Sequence, residues 1–200
     1  MNSHRPDRIP EPTRRDSVAP PPGTLGELAL SDIECRPPRE EDAARVWELV
    51  QQSERLAPNS PYAYLLLCTH FAETGLVAIG GAGQLAGFAL GYRLPEDRSC
   101  LFIWQLGVAE PRSSPALGLH LLEVLFDRCA ERRPLAFLEA TVTPSDPSSR
   151  VLFTRFARDR TTRVRESVAF WSSSFPATRE VASPPPEDEI RLRIGPIRTT

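Results

Sequence analysis

A mixed α/β fold, with one central, mostly antiparallel twisted sheet covered by helices on both faces, is predicted by three features of this chain. Apolar periodicity changes along it in the order strand, helix, helix, three strands, helix, strand, helix, strand. The middle three strands follow one another through turn-like segments, which favours antiparallel neighbours. Two hundred residues with 40% apolar content suffice for one core, so a single domain with tails is the economical organisation.

Residues 1–29 are dominated by proline, arginine and polar side chains, too little apolar surface to offset the entropy of ordering. They predict a disordered tail ahead of a domain at 30–197. Ile33 to Arg36 reads as a short strand broken by Pro37 and Pro38, and Glu40 to Gln52 has helical spacing in Ala44, Val46, Trp47 and Val50. A second helix spans Tyr62 to Phe71, started by Asn59, Ser60 and Pro61, which suit the cap and first-turn positions. Leu76 to Ile79 and Leu85 to Tyr92 are apolar runs joined by GGAGQ, a hairpin composition, and Cys100 to Val108 follows the turn-like LPEDRS. Ala116 to Arg128 has helical spacing, Ala136 to Val142 is a short strand, and Ser148 to Ala157 is a helix. Glu189 to Ile194 alternates as a closing strand, with Glu189 at the start of an edge strand.

Composition narrows the function classes. With 24 basic and 26 acidic residues the chain has no electrostatic footprint for nucleic acid or an anionic membrane. Every basic side chain is arginine, which excludes a Schiff-base lysine. Cys35, Cys68, Cys100 and Cys129 form no C-x-x-C pair, so no metal is expected. No apolar stretch is long enough to span a bilayer and the N-terminus has no apolar signal region, which points to a cytoplasmic protein.

Three stretches carry a more specific signal: N-S-P-Y-A-Y-L-L-L at Asn59 to Leu67, W-Q-L-G-V at Trp104 to Val108, and L-E-A-T-V-T-P-S at Leu138 to Ser145. With R-I-G-P at Arg193 to Pro196, in this order and spacing, the chain resembles the diaminobutyrate acetyltransferases of ectoine biosynthesis, within the GNAT superfamily of N-acetyltransferases. The predicted element order is that of the GNAT fold. The resemblance implies acetyl-CoA as co-substrate, L-2,4-diaminobutyrate as acceptor, no metal and a homodimer.

The resemblance also assigns residues. Strand backbone at Leu106, Gly107 and Val108 would hold the pantetheine arm, and Ser113, Ser114, Ala116, Gly118 and Leu119 would meet the pyrophosphate where strand turns into helix, with orphan N–H groups and the helix dipole favouring an anion. The family's phosphate motif is matched in full only at Gly118; Pro115 cannot donate a backbone hydrogen bond, and Ala116 restricts close approach. Asp146 takes the position of an asparagine common in GNAT proteins, and a carboxylate is a poorer neighbour for phosphates, although with Pro147 it makes a good helix cap. Phe153 falls where many GNAT enzymes place a tyrosine, but these relatives often carry phenylalanine there.

For the acceptor, the family implies Asn59, Tyr62, Trp104 and Thr141 as substrate contacts. Glu189 would accept the ammonium proton, with Glu139 as an alternative base if its face of the strand lines a cleft. An acidic residue and a histidine of the family pattern are replaced here by Ala57 and Pro186. Two other readings therefore stay open: a GNAT acyltransferase with another amine acceptor, and a non-catalytic GNAT-like binding protein.

Overall fold

The computed structural model describes residues 30–109, 115–176 and 186–198. The expected disordered tail at 1–29 lies outside the described residues, as do Ser113 and Ser114. Among the described residues, eleven strands and α-helices follow in chain order: β1 Ile33–Arg36, α1 Asp42–Gln52, α2 Pro61–His70, β2 Gly75–Gly80, β3 Leu85–Arg93, β4 Cys100–Val108, α3 Pro115–Arg132, β5 Phe137–Val142, α4 Pro147–Asp159, β6 Val164–Phe170 and β7 Glu189–Ile194. The strands form one sheet in the order β1-β2-β3-β4-β5-β7-β6. All neighbours are antiparallel except β4 and β5, which are joined through α3 as a parallel pair.

Two apolar layers enclose the sheet. Leu76, Ala78, Ala89, Leu101, Ile103, Leu138, Ala140 and Leu192 on one face pack with Leu121, Leu122, Leu125 and Phe126 of α3 and Phe153 and Phe156 of α4. Val77, Phe88 and Leu90 on the other pack with Val46, Leu49 and Val50 of α1 and Tyr64 and Leu67 of α2. Alternate residues of β2 and β3 thus serve opposite cores, as a period of two requires. The helices of the first face are also tied by a polar contact. Arg160 donates to both oxygens of Asp127 at 2.6 and 2.7 Å while its guanidinium lies over Phe126 and Phe156, joining α3 to α4.

Local signals account for most boundaries. Ser60 accepts from the Ala63 N–H and Pro61 opens α2; Asp146 accepts from the Ser149 N–H and Pro147 opens α4. Gly83, at φ 79°, closes the β2–β3 hairpin. At the first position of α1, the fully buried Asp42 receives Arg36 through two hydrogen bonds of 2.7 and 2.9 Å and the Arg39 N–H at 2.8 Å, fastening β1 to the helix.

Two expectations need correcting. β6 is absent from the sequence-predicted order, because VRESVAF is largely exposed and Glu166 interrupts the alternate apolar positions Val164, Val168 and Phe170; backbone pairing to β7 holds it in place. β7 is consequently an interior strand between β5 and β6, and Glu189 begins a paired strand opposite Phe170 rather than an edge.

Candidate active site

β4 and β5 pair over only four positions, from Cys100↔Phe137 to Ile103↔Ala140. Beyond Ile103 the two strands part, and Trp104 to Val108 have no strand partner on the β5 side. A bulge coincides with the parting: Gly91 faces Ile103 and Leu90 faces Gln105, so Trp104 is an extra residue against β3. An open V in a sheet leaves backbone donors and acceptors unpaired, and such groups require partners.

A cavity of about 510 Å³ occupies this region, within the range of small-molecule sites. One wall is Leu106, Gly107 and Val108 of β4 with Gly118 of α3, and a second is the first turns of α4, from Asp146 to Ser149 with Val151, Leu152 and Arg155. The α1–α2 loop supplies Ser53, Arg55 and Leu56. Gly107 is required where it stands, since an added Cβ would lie 2.6 Å from the Phe88 ring and 2.7 Å from the end of Leu56. The cavity is therefore an apolar slot with an unpaired strand edge along one side, a helix N-terminus on the other and two arginines at its margin.

Asp146 sits at the α4 end of that slot. Burial pushes its carboxyl up, but hydrogen bonds from Ser149 and Ser148, at 3.0 and 2.8 Å, outweigh this and hold it below the usual carboxylate range. It is therefore ionised at neutral pH, a fixed negative charge beside the cavity.

Of the residues assigned to the co-substrate, Leu106, Gly107, Val108, Gly118 and Asp146 line this one cavity. Ala116 lies exposed on the first turn of α3, and Leu119 is corrected as a ligand contact, since its side chain is buried in the α3/α4 core and its N–H belongs to the helical ladder. Phe153 is buried in the same core. Sequence reasoning missed Ser53, Arg55, Leu56, Ser148, Ser149, Val151, Leu152 and Arg155. The N-cap signal at Asp146 could have indicated the serines, whereas the loop residues are brought in by tertiary packing alone.

The acceptor-side residues distribute differently. Ile190, Leu192 and Ile194 of β7 and Leu138, Ala140 and Val142 of β5 face the α3/α4 core, so Glu189 and Thr141 point to the opposite face. Trp104 packs on that same face, against the α1/α2 core. Register continues Glu189 one residue past the Val142↔Ile190 pair, at the end of the sheet where β4 and β5 diverge. Tyr62 is 66% exposed on the first turn of α2, so it is not a core residue, and Asn59 is exposed in the loop before it. The buried tyrosine is Tyr64, whose ring meets Trp104 edge-on at 5.6 Å. Ala57 and Pro186 are both exposed.

Glu139 is corrected as a candidate base. It is 4% exposed, but one oxygen is hydrogen-bonded by Arg193 and the other lies 3.6 Å from Arg191. Arg193 also donates to Asp97 at 2.7 Å and stacks on Phe137. A carboxylate surrounded by arginines is committed to its ion pairs. Among the described residues, no group of three or more His, Cys, Asp or Glu is disposed to hold a metal, and no helix is long and apolar enough to cross a membrane.

Comparison with known proteins matches residues 33–157 to the Acetyltransferase (GNAT) family. The chain is 37% identical over 169 residues to the L-2,4-diaminobutyric acid acetyltransferase of Streptomyces coelicolor, covering 84% of this chain and 96% of that protein. To the same enzyme of Marinococcus halophilus it is 38% identical over 174 residues, covering 87% and 95%. Among solved structures it resembles the diaminobutyrate acetyltransferase EctA from Paenibacillus lautus in complex with its substrate L-2,4-diaminobutyric acid and coenzyme A, with a TM-score of 0.74, 31% identity, and coverage of 84% of this chain and 97% of that one.

Proposed function

The chain belongs to the GNAT acetyltransferase family and, within it, to the L-2,4-diaminobutyric acid acetyltransferases, and from that premise we propose that it transfers acetyl from acetyl-CoA to the side-chain amine of L-2,4-diaminobutyrate. The product is N4-acetyl-L-2,4-diaminobutyrate, the acetylated intermediate of ectoine biosynthesis. The observation that carries the reading is the parting of β4 and β5 beside a cavity of about 510 Å³, a slot into which an extended thioester arm fits.

In this reading the pantetheine amides pair with the free backbone of Leu106, Gly107 and Val108, extending the sheet by one ligand strand. Gly118, on the first turn of α3, serves the pyrophosphate at the head of that helix. Arg55 and Arg155 at the cavity margin add positive charge toward an anionic co-substrate and offset Asp146. The acceptor lies on the opposite side of the sheet, among Trp104, Thr141, Asn59 and Tyr62. Glu189 takes one ammonium proton, the freed amine nitrogen attacks the thioester carbon, the C–S bond breaks, and the second proton shed by the nitrogen goes to the departing thiolate, so that coenzyme A leaves as the thiol. Backbone N–H groups at the bulge stabilise the oxygen on which charge develops.

Phe170 and Trp171, 55% and 60% exposed at the end of edge strand β6, support a homodimer closed over this surface. A cytoplasmic setting follows from the use of acetyl-CoA and suits four free cysteines, three of them buried. A second reading, another amine acceptor on the same scaffold, is favoured by one observation: neither Ala57 nor Pro186 offers a polar side chain where the family pattern has an acid and a histidine.

One assay separates them. Purified protein, acetyl-CoA and L-2,4-diaminobutyrate should release coenzyme A thiol with stoichiometric N4-acetylated product by mass spectrometry. Turnover of another amine in a panel, with none of diaminobutyrate, establishes the second reading instead. Absence of both turnover and calorimetric acetyl-CoA binding refutes both.

A further inference from the structure

Gln105 occupies a position where a regular strand would bury it in the wrong core. Side chains alternate along an unbroken strand, so with Ile103 in the α3/α4 core, Gln105 would follow it there. The bulge at Trp104 shifts the alternation. Leu106 is the next residue to pack on that core, and Trp104 and Gln105 both turn toward α1 and α2.

On that side the amide is used at both ends. The Tyr64 hydroxyl donates to Gln105 Oε1 at 2.9 Å, and Gln105 Nε2 donates to the carbonyl of Ala57 at 3.0 Å. The orientation is dictated by the partners: a backbone carbonyl only accepts, so the NH2 must face Ala57, which leaves Oε1 for the phenol. Tyr64 is fully buried and braced by Trp104, so this end of the chain is rigid. The Ala57 end belongs to the loop between α1 and α2. Leu56 of that loop lies on Gly107, and Arg55 and Leu56 line the cavity. Among the described residues, the loop's other hydrogen bonds are local: Ser53 N–H to the Val50 carbonyl, Arg55 N–H to Ser53 Oγ, Asn59 Nδ2 to the Ala57 carbonyl, and the Ser60 cap.

We infer that Gln105 is a positioning residue: from the bulge of the strand that would carry the thioester, it latches the 53–60 loop across the cleft and so sets the wall between co-substrate and acceptor. The kinetic consequence rests on the acetyltransferase reading; the latch rests on geometry alone. One amide thereby makes the loop's closure depend on the bulge, and any variant that straightens β4 would also release the loop.

The test is Gln105→Glu, which keeps shape and changes hydrogen-bond polarity. Ionised, the new carboxylate still accepts from Tyr64 but meets the Ala57 carbonyl without a proton, so the latch is lost; protonated, it can donate again. Hydrogen exchange of residues 53–60 should be about tenfold faster than in the wild type above the ordinary glutamate pKa. That difference should shrink as the pH falls through the carboxyl's pKa, while exchange in β2 and β3 stays unchanged. In the acetylation assay, KM for the amine should rise about tenfold with kcat within about threefold of wild type. Exchange and both KM values equal to wild type throughout the pH range would overturn the inference, as would a lowered melting temperature with neither altered. If the wild type fails to turn over diaminobutyrate, the exchange measurement still decides the latch, and only the acceptor assignment falls. Should Gln105→Glu not fold, Tyr64→Phe removes a single oxygen and frees one end of the amide. About threefold faster loop exchange is then expected, and unchanged exchange is the refuting result.

Discussion

Replacing Gly118 by alanine should make this protein more stable and a poorer ligand binder at once. Gly118 is the fourth residue of α3, and its substitution gains about 0.8–1 kcal/mol of helix propensity. No strain opposes that gain, because the new Cβ would sit 3.5 and 3.6 Å from the methyls of Leu152 and 3.7 Å from Leu106, ordinary van der Waals contact. The melting temperature should accordingly rise by about 2–4 °C. Leu152 and Leu106 are both cavity walls, however, so the methyl projects into the slot between them. An anion that reaches the helix backbone needs about 2.9 Å between donor and acceptor, whereas a methyl group holds other heavy atoms at about 3.5 Å or more. Losing one charge-assisted hydrogen bond costs about 1.5–3 kcal/mol, or about 10- to 150-fold in Kd for acetyl-CoA. Scanning calorimetry and titration calorimetry on the same preparation give both quantities. A stabilised variant that binds acetyl-CoA like the wild type would refute the placement of the co-substrate over α3.

Other perturbations probe the same scheme. Asp146→Asn retains an N-cap and removes the negative charge, so α4 should lose less than about 0.5 kcal/mol while acetyl-CoA binds several-fold more tightly; weaker binding would contradict a phosphate-bearing ligand in this cavity. Arg55→Ala with Arg155→Ala should weaken acetyl-CoA binding about tenfold and flatten its salt dependence, read by titration at several ionic strengths. Glu189→Gln should lower kcat about 10²- to 10⁴-fold with acetyl-CoA affinity unchanged, and unaltered kcat would remove it as the proton acceptor. Burial pushes the Asp42 carboxyl up, but hydrogen bonds from Arg36 and the Arg39 N–H, with the nearby charge of Arg45, hold it below the ordinary range. Its stabilisation is therefore complete above the unfolded carboxylate pKa and lost as pH falls through the folded one. Asp42→Asn should cost about 3 kcal/mol at neutral pH and flatten the acid side of the stability profile, followed by urea unfolding at graded pH.

The sheet and its helices were legible where one face is apolar and the period is clean: β2, β3 and β4 alternate or run apolar, and Ser60-Pro61 and Asp146-Pro147 announce their helices. β6 was not, since Glu166 breaks the alternation of Val164, Val168 and Phe170 and this exposed edge strand is held by its pairing to β7. The cavity's β4 wall was legible through W-Q-L-G-V, but the bulge was not. Only the three-residue interval between Ile103 and Leu106 hints at it, and period-two reasoning would send Gln105 to the wrong core. Arg55 and Leu56 escaped because loop docking is set by contacts with residues some fifty positions away, such as Gly107. A period of two turns Glu139 away from Leu138 and Ala140, yet its partners Arg191 and Arg193 come from a strand whose neighbours the sequence order does not reveal.

The short seam between β4 and β5 is braced at its closed end. Arg193 reaches Asp97, ahead of β4, and Glu139 on β5, while the Ser99 carbonyl accepts from both Ala136 and Phe137. With one end stapled and the other unpaired, the width of the slot is fixed at Cys100–Ile103, away from its mouth at Val108. The groups that hold that seam, Asp97, Ser99, Glu139 and Arg193, are absent from the cavity lining, so they govern the aperture without meeting what enters it.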